Sequence, residues 1–422
     1  MILHLPQTHV LRSLTFDGRL LFFTRMARMF SYGFLAVVLL LYLDKIGLSA
    51  TKIGALLTLT LVGDTIISLW MTTIADRVGR KRMLIVGAGL MVLAGALFAL
   101  TTNYVLLVLA ATIGVISPSG NEVGPFLPIE QAALTQTVSG QQRTQVFAWY
   151  NLGGSLATAV GALFGGTLAH GLIRLGMTQV DSYRVLVFLY AAAGVMLWVL
   201  FTRLSKAAES PPTSELSSTS PIFSARFGLH KSLRIVLKLS ALFTLDAFAG
   251  GFILQSIIAY WFYLRFGVEP ALLGSIFFGA NILAGFSALA AAQIASRIGL
   301  IRTMVFTHLP SNVLLILVPL MPTLPLAIAV LLLRFSISQM DVPTRQSYTM
   351  SVVSHDELSA AAGVTGVART TGAALSPLFA GFLLANPALL SVPFFLAGGL
   401  KILYDLMLLR SFGELRPPEE KG

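Results

Sequence analysis

Cysteine is absent from this chain. That excludes a disulfide framework and any thiolate metal or redox site. Charge is scarce as well. Asp, Glu, Lys and Arg together make up 11% of the residues while 56% are hydrophobic, and a soluble domain carries about 25% charged residues. The composition is therefore that of an integral membrane protein, whose first partner is the lipid bilayer. No G-x-x-x-x-G-K-[ST] stretch is present to cradle phosphates, so ATP is excluded as the direct energy source. No His/Glu cluster has metal-ligand spacing, and no cofactor or enzyme activity is expected. Low-complexity tracts are missing too. The net charge of +11 does not point to nucleic acid, because the cations sit in short stretches between apolar runs. There they set orientation and meet anionic headgroups.

What is present is a series of long apolar runs, each near the roughly 20 residues a helix needs to cross a bilayer. Gly, Pro and charge punctuation divides the chain into twelve expected helical spans. They are 20–43, 49–75, 83–101, 104–128, 143–170, 184–203, 234–264, 271–296, 300–319, 323–347, 358–386 and 391–410. The first run is too long for a signal peptide and lacks a small-x-small cleavage site, so a retained span is expected. Only one long polar linker occurs, at 204–232, rich in Ser and Pro. The expected organisation is a six-helix bundle over 1–203, the linker, and a second six-helix bundle over 233–422. Alternating loops collect Arg19, Arg77, Arg80, Lys81, Arg82, Arg143, Arg297, Arg302 and Arg410 on one side. The other side holds only Lys45, Lys52, Arg174, Arg184 and Arg265. By the positive-inside rule the first side, with both termini, is cytoplasmic.

An internal repeat supports the count. Gly47 and Gly54 recur as Gly267 and Gly274, and Arg77-Val78-Gly79 recurs as Arg297-Ile298-Gly299, all shifted by 220. Pro128, Gln131 and Gly166 recur as Pro343, Gln346 and Gly381, shifted by 215. One five-residue change between the third and fourth spans reconciles the two shifts.

The densest charge cluster is Ala75-Asp76-Arg77-Val78-Gly79-Arg80-Lys81-Arg82, between the second and third spans. Gly79 suits the tight reversal. Asp76 is expected to pair with Arg80 or to cap the next helix. This loop resembles the G-x-x-x-D-R-x-G-R-K signature of the major facilitator superfamily, with Thr72 in place of the leading Gly. In the fifth span, Gly161-Ala162-Leu163-Phe164-Gly165-Gly166 resembles the antiporter motif G-P-x-x-G-G, with Ala162 for Pro. The resemblance implies an all-α fold of twelve transmembrane helices in two pseudo-symmetric bundles around a central cavity. It implies a small-molecule substrate moved by alternating access. It also implies a conformational latch at Asp76, Arg77, Gly79 and Arg80.

Ionisable residues inside spans are costly and mark functional sites by default. In the first half these are Arg28, Asp64 and Glu122, the last lying between Pro118 and Pro125. Arg28 with Asp64 or Glu122 forms an expected polar cluster. The second half contributes Asp246, Arg334, Asp341 and Arg369. Arg334, Ser338, Asp341 and Arg345 are spaced to share one helix face. Asp64 and Asp246 are the expected proton carriers, while arginines stay charged and serve anionic groups or counter-ions. Lys401 and Asp405, four apart, are expected to pair locally, His308 to be a satisfied packing histidine, and Arg25 to snorkel to the interface. Tyr42 and Trp261 are expected as interface anchors.

The function expected from these readings is a monomeric, proton-coupled secondary transporter in the inner or plasma membrane, exporting a drug or metabolite. An importer or facilitator of an anionic metabolite is the alternative. A non-transporting membrane sensor is a third reading, but it would call for a large soluble domain.

Overall fold

The computed structural model describes residues 14–122, 124–137, 143–205, 208–209, 231–354 and 357–413. Most of the linker, including Lys206 and Arg226, lies outside the described residues. Among those described, every regular element is helical. Ten helices are long and apolar enough to cross a membrane, and Tyr104–Ile113 and Leu324–Phe335 are shorter apolar helices. Together they account for the twelve expected spans.

Eight spans run nearly as the apolar runs dictate. The first is Phe16–Lys45, opened by Thr15, whose hydroxyl accepts from the Gly18 N–H at 3.1 Å. The second is Ala50–Val78 and the third Arg80–Leu100. The fifth and sixth are Arg143–Arg174 and Gln179–Thr202. The eighth is Pro270–Ile298, the eleventh Leu358–Leu384 and the twelfth Val392–Phe412. The ninth, Leu300–Leu317, ends in a single 3₁₀ turn, Val318–Leu320.

Three spans are broken. The fourth stops at Ile113 and resumes over Phe126–Thr137. The tenth comprises Leu324–Phe335 and Asp341–Ser351. The seventh comprises Leu233–Gly251 and Gln255–Phe266. Proline explains the fourth and tenth. Pro128 and Pro343 each occupy the third position of the resumed helix. A proline lacks an N–H and fits best in a first turn, where both restarts place it, whereas Pro310 and Pro377 are accommodated inside the ninth and eleventh spans. The tenth-span break corrects the expectation that Arg334 to Arg345 share one continuous helix face.

Backbone conformation repeats along with the sequence. Gly79 and Gly299, 220 residues apart, have φ of 112° and 86° and open the third and ninth spans. Both need the left-handed freedom that glycine supplies.

The chain forms two compact units. Unit 1 contains residues 1–48, 62–214 and 267–278, and unit 2 contains 49–61, 215–266 and 279–422. Within unit 1 the first span packs on the fifth and sixth, and the third packs on the sixth. Within unit 2 the seventh packs on the eleventh and twelfth, and the ninth packs on the twelfth. The partners match span for span, as a duplicated six-span unit requires. Small residues set the closest approaches. A Cβ on Gly161 would stand 2.0 Å from the Phe30 carbonyl oxygen in unit 1. In unit 2 a Cβ on Gly54 would stand 2.5 Å from the Pro377 carbonyl oxygen and 2.7 Å from the Gly381 Cα. The antiporter-like Gly161–Gly166 stretch thus does helix-packing work of the kind expected of small residues in spans.

Gly161→Ala should therefore destabilise the protein by about 1–3 kcal/mol through overpacking. Gly171→Ala, with open space around its Cβ, should leave the thermal midpoint in detergent unchanged. Equal midpoints for the two variants would refute this packing account.

Candidate functional site

Unit 1 carries a buried charge cluster centred on Arg28. Its guanidinium donates to Glu122 Oε1 from Nε at 2.9 Å and from Nη2 at 2.6 Å. It also grips Glu130 in a fork, Nη1 to Oε1 at 2.7 Å and Nη2 to Oε2 at 2.8 Å. Arg28 and Glu130 are fully buried. Glu130 accepts further bonds from the Thr24 hydroxyl at 3.3 Å and the Tyr150 hydroxyl at 2.5 Å. A buried ion pair holds only when its remaining lone pairs are also satisfied, and these hydroxyls satisfy them. The Phe126 ring faces the guanidinium at 4.5 Å.

Arg25 joins the cluster and does not snorkel. It is buried, lies 4.2 Å over the Tyr150 ring, donates to Asn151 Oδ1 at 3.2 Å and stands 3.6 Å from Glu122 Oε2. Two arginines face two glutamates, so the cluster is neutral within itself.

Asp64 stands apart from it. Its Oδ1 accepts from the Gly124 N–H at 2.6 Å and the Ser68 hydroxyl at 3.4 Å. It makes no ion pair among the described residues. The break in the fourth span frees the Gly124 N–H, and the proline-flanked loop serves Asp64 through this donor. Arg28 therefore meets Glu122, as expected, but not Asp64.

Unit 2 holds a second cluster. Asp246 accepts from Lys401 Nζ at 2.5 Å and from Arg345 Nη1 at 3.2 Å, with His308 Nε2 at 3.9 Å. Arg345 also donates to Asp341 one turn earlier, at 2.9 Å. Asp405 does not pair with Lys401. It takes His308 Nδ1 at 2.8 Å and the Asn312 amide at 2.9 Å. The local i,i+4 pairing fails because two buried partners on the ninth span compete for Asp405 and a carboxylate on the seventh competes for Lys401. His308 is satisfied, as a packing histidine should be, by the Asp405 carboxylate. Arg334 is buried with its guanidinium 5.0 Å from the Phe335 ring, and Arg369 is half-buried. Neither forms an ion pair among the described residues.

In the charged loop, the Asp76 side chain lies outside the described residues. Glu209 fills the capping role assigned to Asp76, accepting from the backbone N–H of Arg80 at 2.7 Å and of Lys81 at 3.2 Å. A carboxylate there meets the positive end of the third span. The Arg80 guanidinium donates to the Ala132 carbonyl at 3.0 Å, and Arg77 is exposed. Tyr42 and Trp261 are buried within the protein and do not present their rings to lipid headgroups; the Tyr42 hydroxyl donates to the Phe98 carbonyl at 2.6 Å.

Glu130 escaped the sequence reading because the fourth span was ended at Pro128. The repeat held the missing signal. The 215 shift that maps Pro128 to Pro343 maps Glu130 to Arg345, and each pairs with the first span of its own unit's six.

Replacing Arg28 by Met would strand Glu130 and Glu122 in a buried site, at a cost of about 3–5 kcal/mol. Thermal unfolding in detergent should show a lowered midpoint, largely restored by adding Glu130→Leu and Glu122→Gln. An unchanged midpoint in the single variant would contradict the pairing.

The family description Major Facilitator Superfamily matches residues 21–377. The chain is 31% identical over 419 residues to the uncharacterized membrane protein YJR124C of Saccharomyces cerevisiae, covering 93% of each. It is 23% identical over 189 residues to the quinolone resistance protein NorA of Staphylococcus aureus, covering 45% of each. Among solved structures, that of the nucleoside transporter NupG superposes with a TM-score of 0.72 at 13% identity, covering 94% of this chain and 99% of that one. With the repeated six-span packing and the Asp76–Lys81 loop, these matches place the chain in the Major Facilitator Superfamily of membrane transporters.

Proposed function

We propose that this transporter exports a small organic solute in exchange for protons, by alternating access. The observation that carries the reading is Asp64. Of Asp64, Glu122, Glu130, Asp246, Asp341 and Asp405, it is the acid whose partners among the described residues are a backbone N–H and a hydroxyl. Asp246, the other expected proton carrier, is held by Lys401 and Arg345. A carboxylate locked to two cations resists protonation, whereas one held by neutral donors gains and loses a proton without stranding a counter-charge. Asp64 is therefore assigned proton exchange. Arg28, Glu122, Asp246 and Asp341 are assigned to the pathway as members of fixed pairs, and Arg334 and Arg369 as cations without a carboxylate partner among the described residues.

Export is favoured over import by the partial likeness to NorA, a quinolone resistance protein. Asp76, Arg77, Gly79 and Arg80 are assigned the latch that changes partners between states, on the signature they share with the family. The expected setting is the inner or plasma membrane, with both termini cytoplasmic by the cation asymmetry of the loops, and the working unit is a monomer.

In proteoliposomes, Asp64→Asn should abolish solute accumulation driven by an imposed pH gradient while solute exchange without a gradient persists. Accumulation that survives in Asp64→Asn would remove Asp64 from the proton path. Asp76→Asn should slow turnover in both assays with little change in solute affinity, and normal turnover in that variant would remove the latch role.

A further inference from the structure

We propose that Arg334 and Arg369 form a recognition site for the oxyanion group, a carboxylate or a phosphate ester, of an organic anion carried by this protein. The inference rests on the transporter reading and deepens it by naming a cargo class.

Among the described residues, the cations of the unit 2 spans that are not exposed are Arg334, Arg345, Arg369 and Lys401. The carboxylates placed with them are Asp246, Asp341 and Asp405. Lys401 and Arg345 are taken up by Asp246 and Asp341, and Asp405 is taken up by His308 and Asn312. Four cations against three carboxylates leave one net positive charge, and Arg334 and Arg369 are the two cations without a carboxylate partner among the described residues. A guanidinium does not shed its proton, and an uncompensated charge inside a span costs several kcal/mol. The unit 1 cluster, by contrast, balances Arg25 and Arg28 against Glu122 and Glu130.

Both arginines also carry unmet donors. Arg334 is 7% exposed, and its Nε is buried without a hydrogen-bond partner. The Nε of Arg369 is likewise buried and unpartnered. So is the Ser338 hydroxyl, in the broken turn one step beyond Arg334. A buried donor without an acceptor loses about 1–3 kcal/mol, and native structures carry few of them. Phe335 covers a face of the Arg334 guanidinium, which leaves the in-plane N–H edge as the binding edge. Asp341 acts electrostatically on both arginines, yet its ion pair is with Arg345. The five-donor fork of a guanidinium matches a carboxylate or phosphate in two parallel bonds. An anionic cargo group would therefore meet both deficits, charge and donors, at once.

The test is ligand binding to the purified full chain in detergent, read as thermal stabilisation at constant ionic strength. The probes are benzoate and phenyl phosphate, with benzamide and benzylamine as neutral and cationic counterparts. Benzoate and phenyl phosphate should stabilise saturably, and the counterparts should not. Arg334→Gln and Arg369→Gln should each weaken apparent affinity for benzoate by about tenfold or more. Arg265→Gln, at an exposed position, should leave it intact. Arg334→Lys and Arg369→Lys keep the charge without the fork and should fall between, which preserves the test if a Gln variant fails to fold. Equal stabilisation by benzamide and benzoate would overturn the proposal, as would full benzoate affinity in both Gln variants. Loss of benzoate binding in nanodiscs containing anionic lipid would assign the site to a lipid headgroup and overturn the cargo role. Anion binding without transport of any anion in proteoliposomes would overturn the transporter reading while leaving the site standing. Transport of neutral solutes with no anion binding would sink this inference alone.

Discussion

A charged side chain survives inside an apolar span only when its charge is compensated, and much of this structure follows from that constraint. The grip of Arg28 on Glu122 and Glu130 is the clearest instance. It ties the first span to the break in the fourth through Glu122 and to the resumed helix through Glu130. The break leaves backbone groups without helical partners, and such groups are tolerated in a membrane only where protein satisfies them. The Gly124 N–H is satisfied by Asp64. Ion pair, proline-set restart and isolated carboxylate are thus parts of one arrangement.

The second unit builds the same arrangement with the signs exchanged. In unit 1 the first span supplies the cation, Arg28, and the fourth supplies the anion, Glu130. In unit 2 the seventh span supplies the anion, Asp246, and the tenth supplies the cation, Arg345. Glu130 and Arg345 occupy equivalent places two residues after equivalent prolines. The geometry of a paired crossing was kept while its polarity was not, as is allowed when the interaction energy depends on the product of the charges. The units differ in what remains after pairing. Unit 1 keeps a carboxylate without a cation, and unit 2 keeps guanidiniums without a carboxylate.

The fold was largely legible because its determinants are local. Apolar length gave the spans, and the two repeat shifts placed Gly79 with Gly299 and Pro128 with Pro343. The structure shows each of these pairs in matching backbone roles. The site was legible only by residue type. Spacing brought Arg28 and Glu122 to one neighbourhood, and it correctly singled out Asp341 with Arg345. It could not choose partners, because those choices are settled by competition between helices distant in sequence. Lys401 prefers Asp246 to the nearer Asp405, and the third span is capped by Glu209 from beyond the sixth. Arg25 was misjudged because depth along the chain does not reveal that Tyr150 and Asn151 stand ready to receive it.

The central claim is a division of labour among buried charges, with paired clusters fixed and Asp64 exchanging the proton. Infrared difference spectroscopy of the reconstituted protein, between neutral and acidic pH, tests it most directly. The account predicts a protonated-carboxyl band that grows on acidification and is missing from Asp64→Asn, yet persists in Asp246→Asn. A band that survives in Asp64→Asn and vanishes in Asp246→Asn would contradict it.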